Sequence, residues 1–240
     1  MILLLDVGNS RLKWRLDLGE ETVDRGVLQR ADSGLLPLLT QNPREVWVSS
    51  VAGAEFESSL RQACTERWGL DPWFARSSAG DLGLSNSYSD PSRMGVDRWL
   101  AMLAAWRVYG GSVCVVDAGS ALTIDFVSEA GEHEGGYILP GLDSMEGALL
   151  QDTDRVRFGD APRDCIEPGR STETAVFNGL FLSQVGAVSQ ALQITESRHL
   201  VASGGNGEAL LAALDRPGDY RQDLVLEGLK LLGAEGVESA

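Results

Sequence analysis

Two segments of the chain place an aspartate at the end of an apolar run, followed by a turn of small residues. The first is Ile2–Asp6 followed by residues 7–10, and the second is Ser112–Asp117 followed by residues 118–120. A glycine-containing turn can present successive backbone N–H groups to phosphate oxygens. An aspartate beside it can hold a divalent cation against those phosphates. The pattern therefore favours two phosphate-binding hairpins over the simpler alternative, ordinary β-turns with surface aspartates.

The turns also carry hydroxyls, on Ser10 and Ser120, which can donate hydrogen bonds to the same phosphate oxygens. After each turn, apolar and polar residues alternate, as they do in a half-buried strand. The apolar members are Leu12, Trp14 and Leu16 after the first turn, and Leu122, Ile124 and Phe126 after the second. The recurrence of this strand-turn-strand unit predicts two similar lobes, residues 1–110 and 111–240.

A third cluster, Gly95–Arg98, opens an amphipathic helix predicted over Asp97–Tyr109. Asp97 could orient the proton of a substrate hydroxyl, and Arg98 could pair with a substrate carboxylate. An acid at a helix start is also a routine partner of the helix dipole, so the cluster alone leaves both interpretations open.

Mixed strand and helix patterns elsewhere make the chain α/β. We predict strands over Glu45–Ser50 and Arg198–Ser203, and a polar loop over Ser77–Ser92. The other predicted helices cover Glu55–Trp68, Glu173–Ile194, Glu208–Leu214 and Asp223–Gly233. Gly204 and Gly205 follow one of the strands and are expected to end it closely.

The formal net charge of −15 disfavours nucleic acid as a ligand, and the 20 Lys and Arg are scattered. ATP is also anionic, so backbone N–H groups and a metal ion would have to offset its charge. The sequence contains no P-loop and no protein-kinase signature, and the first glycine turn leads to a strand, unlike a Rossmann motif.

Three widely spaced cysteines indicate a reducing cytoplasm. We expect no signal peptide and no membrane-spanning segment.

Four motifs in order resemble those of the type III pantothenate kinases, which share a superfamily with actin, hexokinase and the heat-shock chaperones. They are Asp6-Val-Gly-Asn-Ser10, Gly95-Val-Asp-Arg98, Asp117-Ala-Gly-Ser-Ala-Leu-Thr-Ile-Asp125 and Gly135-Gly-Tyr-Ile-Leu-Pro-Gly141. The resemblance implies two actin-like (ribonuclease H-like) lobes, each a mixed sheet flanked by helices. It also implies ATP-dependent phosphorylation of pantothenate, the first step of coenzyme A biosynthesis.

The resemblance assigns roles to residues at the matching positions. Asp97 is the expected catalytic acceptor of the hydroxyl proton, and Arg98 the expected partner of the pantothenate carboxylate. The other expected pantothenate contacts are Tyr88, Gly95, Val96 and Thr172. The expected ATP contacts are Asp6, Val7, Gly8, Asn9, Ser10, Arg11, Leu12, Lys13 and Ser120.

The resemblance also implies cations and a partner subunit. Asp6 is expected to hold Mg²⁺ with ATP, and Asp117 a monovalent cation, K⁺ or NH₄⁺. Thr172 is the expected contribution from the second subunit of a homodimer, although Thr174 lies within reach of the same motif. The small-residue helix around residues 176–188 is either the dimer interface or internal core. Ser10 and Ser120 stand where the family commonly has threonine. Gly204 and Gly205 resemble the adenosine-side glycine pair of the superfamily, which would give them a nucleotide contact as a second possible use.

Two other functions remain open from the sequence. The chain could be a non-catalytic nucleotide-binding regulator of the transcription accessory type, which loss of the catalytic aspartate would favour; Asp97 is present. It could also phosphorylate another small metabolite, because the fold does not fix the substrate.

Overall fold

The computed structural model describes residues 1–29, 42–152, 163–195 and 198–238. The chain divides into two compact units, Met1–Val108 together with Asp223–Ala240, and Tyr109–Gln222. The sequence-based division placed the last eighteen residues or so in the second lobe. The structure instead packs the C-terminal helix on two strands of the first unit.

The elements are numbered here in chain order. The strands are β1 (Ile2–Val7), β2 (Arg11–Leu18), β3 (Glu21–Gln29), β4 (Glu45–Ser50), β5 (Trp73–Phe74), β6 (Gly80–Asp81), β7 (Leu84–Ser85), β8 (Val113–Ala118), β9 (Ala121–Val127), β10 (His133–Pro140), β11 (His199–Ser203) and β12 (Asp219–Tyr220). The helices are α1 (Ala54–Trp68), α2 (Val96–Tyr109), α3 (Leu142–Asp152), α4 (Thr172–Ile194), α5 (Gly207–Ala213) and α6 (Leu224–Glu238).

The two units contain five-stranded sheets of the same topology. The first sheet has the order β3-β2-β1-β4-β5 and the second the order β10-β9-β8-β11-β12. In each, three antiparallel strands continue into two strands that run parallel to the first strand of the unit. The predicted α/β class, with two similar lobes of mixed sheet and helices, is confirmed, and the repeated hairpins occupy the same place in each sheet.

In the first unit, apolar residues of β1 and β4 cover one face of the sheet and pack with Leu60 and Cys64 of α1. Helix α6 contacts β1 and β4. It comes close because it carries glycines there: a Cβ at Gly233 would lie 2.4 Å from the Trp47 ring. A side chain at this position would therefore separate the helix from the sheet.

A buried ion-pair network also joins β2 to α6. Arg15 pairs with Asp17 at 2.9 Å, and the two residues are 7% and 1% exposed. Lys230 of α6 lies 3.5 Å from the same Asp17 carboxylate and donates a hydrogen bond to the carbonyl oxygen of Gly19. A buried charge of this kind needs its partners, because water cannot replace them.

In the second unit, helix α4 supplies much of the core. Phe181, Val188 and Leu192 pack with alternate residues of β8 and β9, and with Leu200 of β11. This helix is also long and apolar enough to cross a membrane by length and composition, with a mean hydropathy of 1.2, which the sequence analysis did not anticipate. Core helices pass the same test, and α4 packs in the core through the residues named here.

Several elements were not predicted. Strand β3 is mostly exposed at a sheet edge, so it lacks apolar alternation. The segment 77–92, predicted to be a loop, contains the short hairpin β6–β7 and the start of a 3-10 helix, Pro91–Arg93. Strand β10 and helix α3 were also not anticipated, although the Gly135–Gly141 motif covers most of that strand.

Candidate functional site

The first hairpin joins β1 to β2. Its turn is closed by a hydrogen bond from the Gly8 N–H to the carbonyl oxygen of Arg11 at 3.0 Å. Asn9 and Ser10 at its tip are exposed, whereas Val7 and Leu12 are buried in the apolar core. A phosphate could therefore contact the last two only through their backbone groups.

The Asp6 carboxylate at the end of β1 is half-buried and is held by the neighbouring parallel strand. Ser49 of β4 is its register partner and donates a hydrogen bond from Oγ to Oδ1 of Asp6 at 3.2 Å. On the other side, Lys13 of β2 is the register partner of Asp6. The sequence analysis missed Ser49, the penultimate residue of the strand Glu45–Ser50, which belongs to none of the motifs.

The second hairpin joins β8 to β9 and is closed by the Gly119 N–H donating to Ala121 at 3.0 Å. Ser120 is exposed at its tip. The end of β10 supports it from behind, because Gly141 donates its N–H to the carbonyl oxygen of Ser120 at 3.2 Å. A Cβ at Gly141 would lie 2.5 Å from the carbonyl oxygens of both Gly119 and Ser120, so only glycine fits here.

Asp117 ends β8 and is half-buried. Gly204 follows β11 with a φ of 84°, and a Cβ there would lie 2.5 Å from Oδ1 of Asp117 and 2.5 Å from the carbonyl carbon of Ala118. Gly204 therefore allows the chain after β11 to approach the second hairpin. Two uses were considered for the glycine pair, ending the strand closely and contacting a nucleotide. The geometry shows the first, because the chain packs closely at the end of β11.

The third cluster lies at the start of α2 in the first unit. Oδ1 of Asp97 accepts a hydrogen bond from the backbone N–H of Arg98 at 2.8 Å. A Cβ at Gly95 would lie 2.6 Å from the same oxygen, so a side chain there would displace the carboxylate. Val96 is buried, which leaves only its backbone for a ligand.

Arg98 and Tyr88, separated by nine residues of sequence, are brought together. Arg98 is 7% exposed, and its Nη1 donates a hydrogen bond to the phenol oxygen of Tyr88 at 2.9 Å. The backbone N–H of Tyr88 donates to Oδ1 of Asn86 at 3.0 Å, which fixes the loop that carries the tyrosine. A guanidinium held in this way has a defined direction before any ligand binds.

The hairpin β6–β7 holds the start of α2 in place. Trp99 donates from Nε1 to Oδ2 of Asp81 at 2.9 Å, and Ser78 donates to the same oxygen at 2.6 Å. Its turn has φ values of 53° at Leu82 and 89° at Gly83. Asp81 supports the cluster from a segment predicted to be an unstructured loop, and no motif in the sequence indicated it.

Thr172 and Thr174 differ clearly at the start of α4. Thr174 completes a capping box: its Oγ1 accepts hydrogen bonds from the N–H groups of Arg170 and Ser171, both at 3.1 Å. Thr172, at the first position of the helix, is exposed. The hydroxyl of Thr174 therefore has a structural use within the chain.

Across the described residues, no three His, Cys, Asp or Glu side chains come together in a way that could hold a metal ion. Mg²⁺ commonly binds through one or two carboxylates together with substrate phosphates and water. A single carboxylate beside a glycine-containing turn, as at Asp6, would fit a metal that arrives with a nucleotide.

Comparison with known proteins gives a consistent result. The family model described as type III pantothenate kinase matches residues 2–193. A type III pantothenate kinase from Alcanivorax borkumensis is 36% identical over 251 residues, covering 98% of this chain and 99% of the relative.

Two of the solved structures that resemble this chain illustrate the shared fold. A protein assigned to the Baf family of transcriptional activators from Campylobacter jejuni aligns with a TM-score of 0.64 at 23% identity, covering 98% of this chain and 99% of that one. A Sinorhizobium meliloti protein described as a 2-dehydro-3-deoxygalactonokinase aligns with a TM-score of 0.61 at 14% identity, covering 98% and 96%.

Proposed function

This chain belongs to the type III pantothenate kinase family, and from that premise we propose that it phosphorylates pantothenate with ATP, the first step of coenzyme A biosynthesis. The observation that carries the proposal is the cluster at the start of α2. Asp97, a carboxylate, adjoins Arg98, a buried and oriented guanidinium, within the family's Gly95–Arg98 motif. Pantothenate offers each of them a matching group, a hydroxyl to be phosphorylated and a carboxylate.

In this proposal Asp97 accepts the proton of the attacking hydroxyl while the phosphoryl group is transferred. Phosphoryl transfer needs little covalent chemistry from the protein, so one carboxylate and accurate positioning are enough. Arg98 binds the pantothenate carboxylate, and Tyr88 keeps the guanidinium aimed. Burial strengthens the ion pair, because the effective dielectric constant is lower than in water.

ATP binding is assigned to the two hairpins. Backbone N–H groups and hydroxyls at the exposed tips, with Ser10 and Ser120, would contact phosphates without adding net positive charge. Asp6 would hold Mg²⁺ together with those phosphates, and Lys13, its register partner, would offset negative charge there. Mg²⁺ supplies charge neutralisation of the transferring phosphoryl group.

The monovalent cation, K⁺ or NH₄⁺, is assigned to Asp117. The carboxylate is half-buried and enclosed by glycines, since a Cβ at Gly119 would lie 3.1 Å from its Oδ1 and a Cβ at Gly204 would lie 2.5 Å away. A side chain at either position would crowd this carboxylate, and glycine avoids that. An ion there would reduce repulsion between the carboxylate and a bound triphosphate.

A homodimer is part of the same proposal. Helix α4 exposes Gly179, Leu182, Ser183 and Gly186, which share one face, and no described atom lies within 4 Å of a Cβ built at either glycine. The opposite face of the helix packs in the core. Thr172, exposed at the end of this helix, would reach the partner's pantothenate, whereas Thr174 is used in the capping box.

We place the protein in the cytoplasm, without nucleic-acid or membrane partners. The net charge of −15 opposes association with phosphate backbones. Cys64, Cys114 and Cys165 are all free thiols, as expected in a reducing compartment.

The test is ATP-dependent phosphorylation of radiolabelled pantothenate, with Mg²⁺ and K⁺ present. Asp97→Asn should lower turnover by about 10²-fold or more, the usual contribution of a general base. Asp90→Asn is the matched control, because Asp90 caps the neighbouring 3-10 helix and asparagine caps equally well. Absence of product from folded wild-type protein that binds ATP would overturn the assignment and favour another substrate or a regulatory function.

A further inference from the structure

The repeated topology allows the surroundings of the two strand-ending aspartates to be compared position by position. In the first unit, the register partners of Asp6 are Ser49 on one side and Lys13 on the other. In the second unit, the register partners of Asp117 are Ser203 and Thr123. Register partners in a sheet point to the same face, so each aspartate has these side chains as its lateral neighbours.

The lysine of the first unit therefore has a threonine at its equivalent in the second. Asp6 has an ammonium-bearing neighbour, whereas Asp117 has hydroxyl-bearing residues on both sides. Oxygen ligands are what alkali cations bind in proteins. The neighbours of Asp117 could therefore serve as ligands of an alkali cation, whereas at the equivalent place in the first unit the ammonium group of Lys13 supplies a positive charge.

The two serines also differ in what they bind. Ser49 is fully buried and gives its hydrogen bond to Asp6 at 3.2 Å. Ser203 is only 1% exposed, yet its Oγ has no hydrogen-bond partner in the part of the chain that the structure describes. Leaving a buried hydroxyl unsatisfied is costly, so such a group calls for an explanation.

We propose that the hydroxyl oxygen of Ser203 is a ligand of the monovalent cation at Asp117, supplied from the neighbouring strand β11. This inference rests on the cation assignment within the proposed function and adds a residue outside the matched motifs and outside residues 2–193. The buried oxygen and the Asp117 carboxylate lie on one face at the same sheet level, beside the chain at Gly204 that packs on Asp117. Bound cation would satisfy the oxygen that the chain itself leaves without a partner.

The experiment titrates K⁺ against the purified full chain and follows the thermal unfolding midpoint, with tetramethylammonium chloride keeping the ionic strength constant. The variants are Ser203→Ala, which removes the oxygen, and Ser203→Cys, which replaces it with a soft sulfur that alkali cations disfavour. Ser112→Ala is the matched control, because it removes a serine hydroxyl at the other end of the same strand pair and keeps the backbone carbonyl that accepts from His199. The half-saturating K⁺ concentration of phosphorylation is measured in parallel.

Wild-type protein should be stabilised by K⁺ and not by tetramethylammonium. Both Ser203 variants should raise the half-saturating K⁺ concentration by about 10-fold to 100-fold, the range typical for lost metal-site interactions, and Ser112→Ala should not change it. Unchanged K⁺ dependence in both Ser203 variants would overturn the inference while leaving the kinase and its cation intact. Wild-type protein that does not respond to K⁺ would also overturn it, and the pantothenate assay without K⁺ then tests the kinase proposal separately.

Discussion

Arg98 donates a hydrogen bond to the hydroxyl of Tyr88 at 2.9 Å while its guanidinium carbon lies 5.8 Å from the centre of the same ring. The tyrosine therefore constrains the arginine both through its hydroxyl and through its aromatic face. Because the arginine is almost fully buried, this arrangement sets the direction in which it can present its remaining N–H groups.

Tyr88→Phe keeps the ring and removes only the hydroxyl. We expect the KM for pantothenate to rise by about 3-fold to 10-fold, the cost of one ordinary hydrogen bond, with kcat nearly unchanged. Arg98→Lys should raise KM further, because an ammonium cannot form the same bidentate contact with a carboxylate. Steady-state kinetics with pantothenate varied at saturating ATP measures both. A fall in kcat with constant KM in either variant would contradict the assigned role.

Gly95→Ala should separate catalysis from folding. The added Cβ would lie 2.6 Å from Oδ1 of Asp97 and push the carboxylate away, so kcat should fall by about 10-fold or more. Gly53→Ala is the control, since no described atom lies within 4 Å of a Cβ there. Both variants should unfold near the wild-type temperature. Full activity in Gly95→Ala would indicate that the Asp97 carboxylate is not in its working position.

Asp17→Ala should destabilise the first unit. Removing the carboxylate leaves Arg15 buried beside Lys230 with the more distant Asp223, 4.0 Å away, as a weaker partner, at a cost of about 3 kcal/mol. Urea unfolding followed by circular dichroism measures the loss. Asp24→Ala, on the exposed strand β3, should change stability by less than about 0.5 kcal/mol. The double variant Arg15→Met with Asp17→Ala should recover part of the loss, and failure to recover any would argue against charge as the cause.

The buried thiols predict a stability loss at alkaline pH. Burial raises the pKa of Cys114 from 9.0 to about 12, and that of Cys64 from 9.0 to about 11. Above about pH 9 the unfolded chain loses these protons while the folded chain keeps them. Their contribution to stability is therefore full below pH 9 and declines as the pH rises towards the folded values.

The free energy of unfolding, measured from pH 8 to pH 11, should accordingly fall less steeply in Cys114→Ala than in wild type. Each thiol contributes a slope of about 1.4 kcal/mol per pH unit between pH 9 and its folded pKa. Val116→Ala, which removes buried volume from the same core without removing a titratable group, is the control and should keep the wild-type slope. Equal slopes in Cys114→Ala and wild type would contradict the raised pKa.

The sequence was most informative where local pattern and tertiary environment agree. The Asp6 and Asp117 hairpins, the helix after Gly95 and the core helix α4 each have a strong periodicity or turn signal of their own, and all were predicted to within one or two residues. The α/β class followed from the mixture of strand and helix patterns, and the two similar lobes from the repeat of the two hairpins, which occupy equivalent places in sheets of equal order.

What could not be predicted depends on contacts between distant parts of the chain. Ser49 and Asp81 act through partners 43 and 18 residues away, and neither belongs to a motif. The need for glycine at positions 141 and 204 arises from backbone that passes within 2.5 Å or so of a Cβ built there. The assignment of α6 to the first unit likewise depends on its packing against β1 and β4, which no local pattern encodes.

The position of α6 has a consequence for synthesis on the ribosome. The first unit is interrupted after Val108. The ribosome then synthesises all of Tyr109–Gln222 before it reaches α6, the helix that packs on the first sheet. In a vectorially emerging chain, the second unit can acquire its full set of internal contacts before the first one can. Nascent chains that stop short of α6 should therefore hold a protease-resistant second unit beside an unfinished first one.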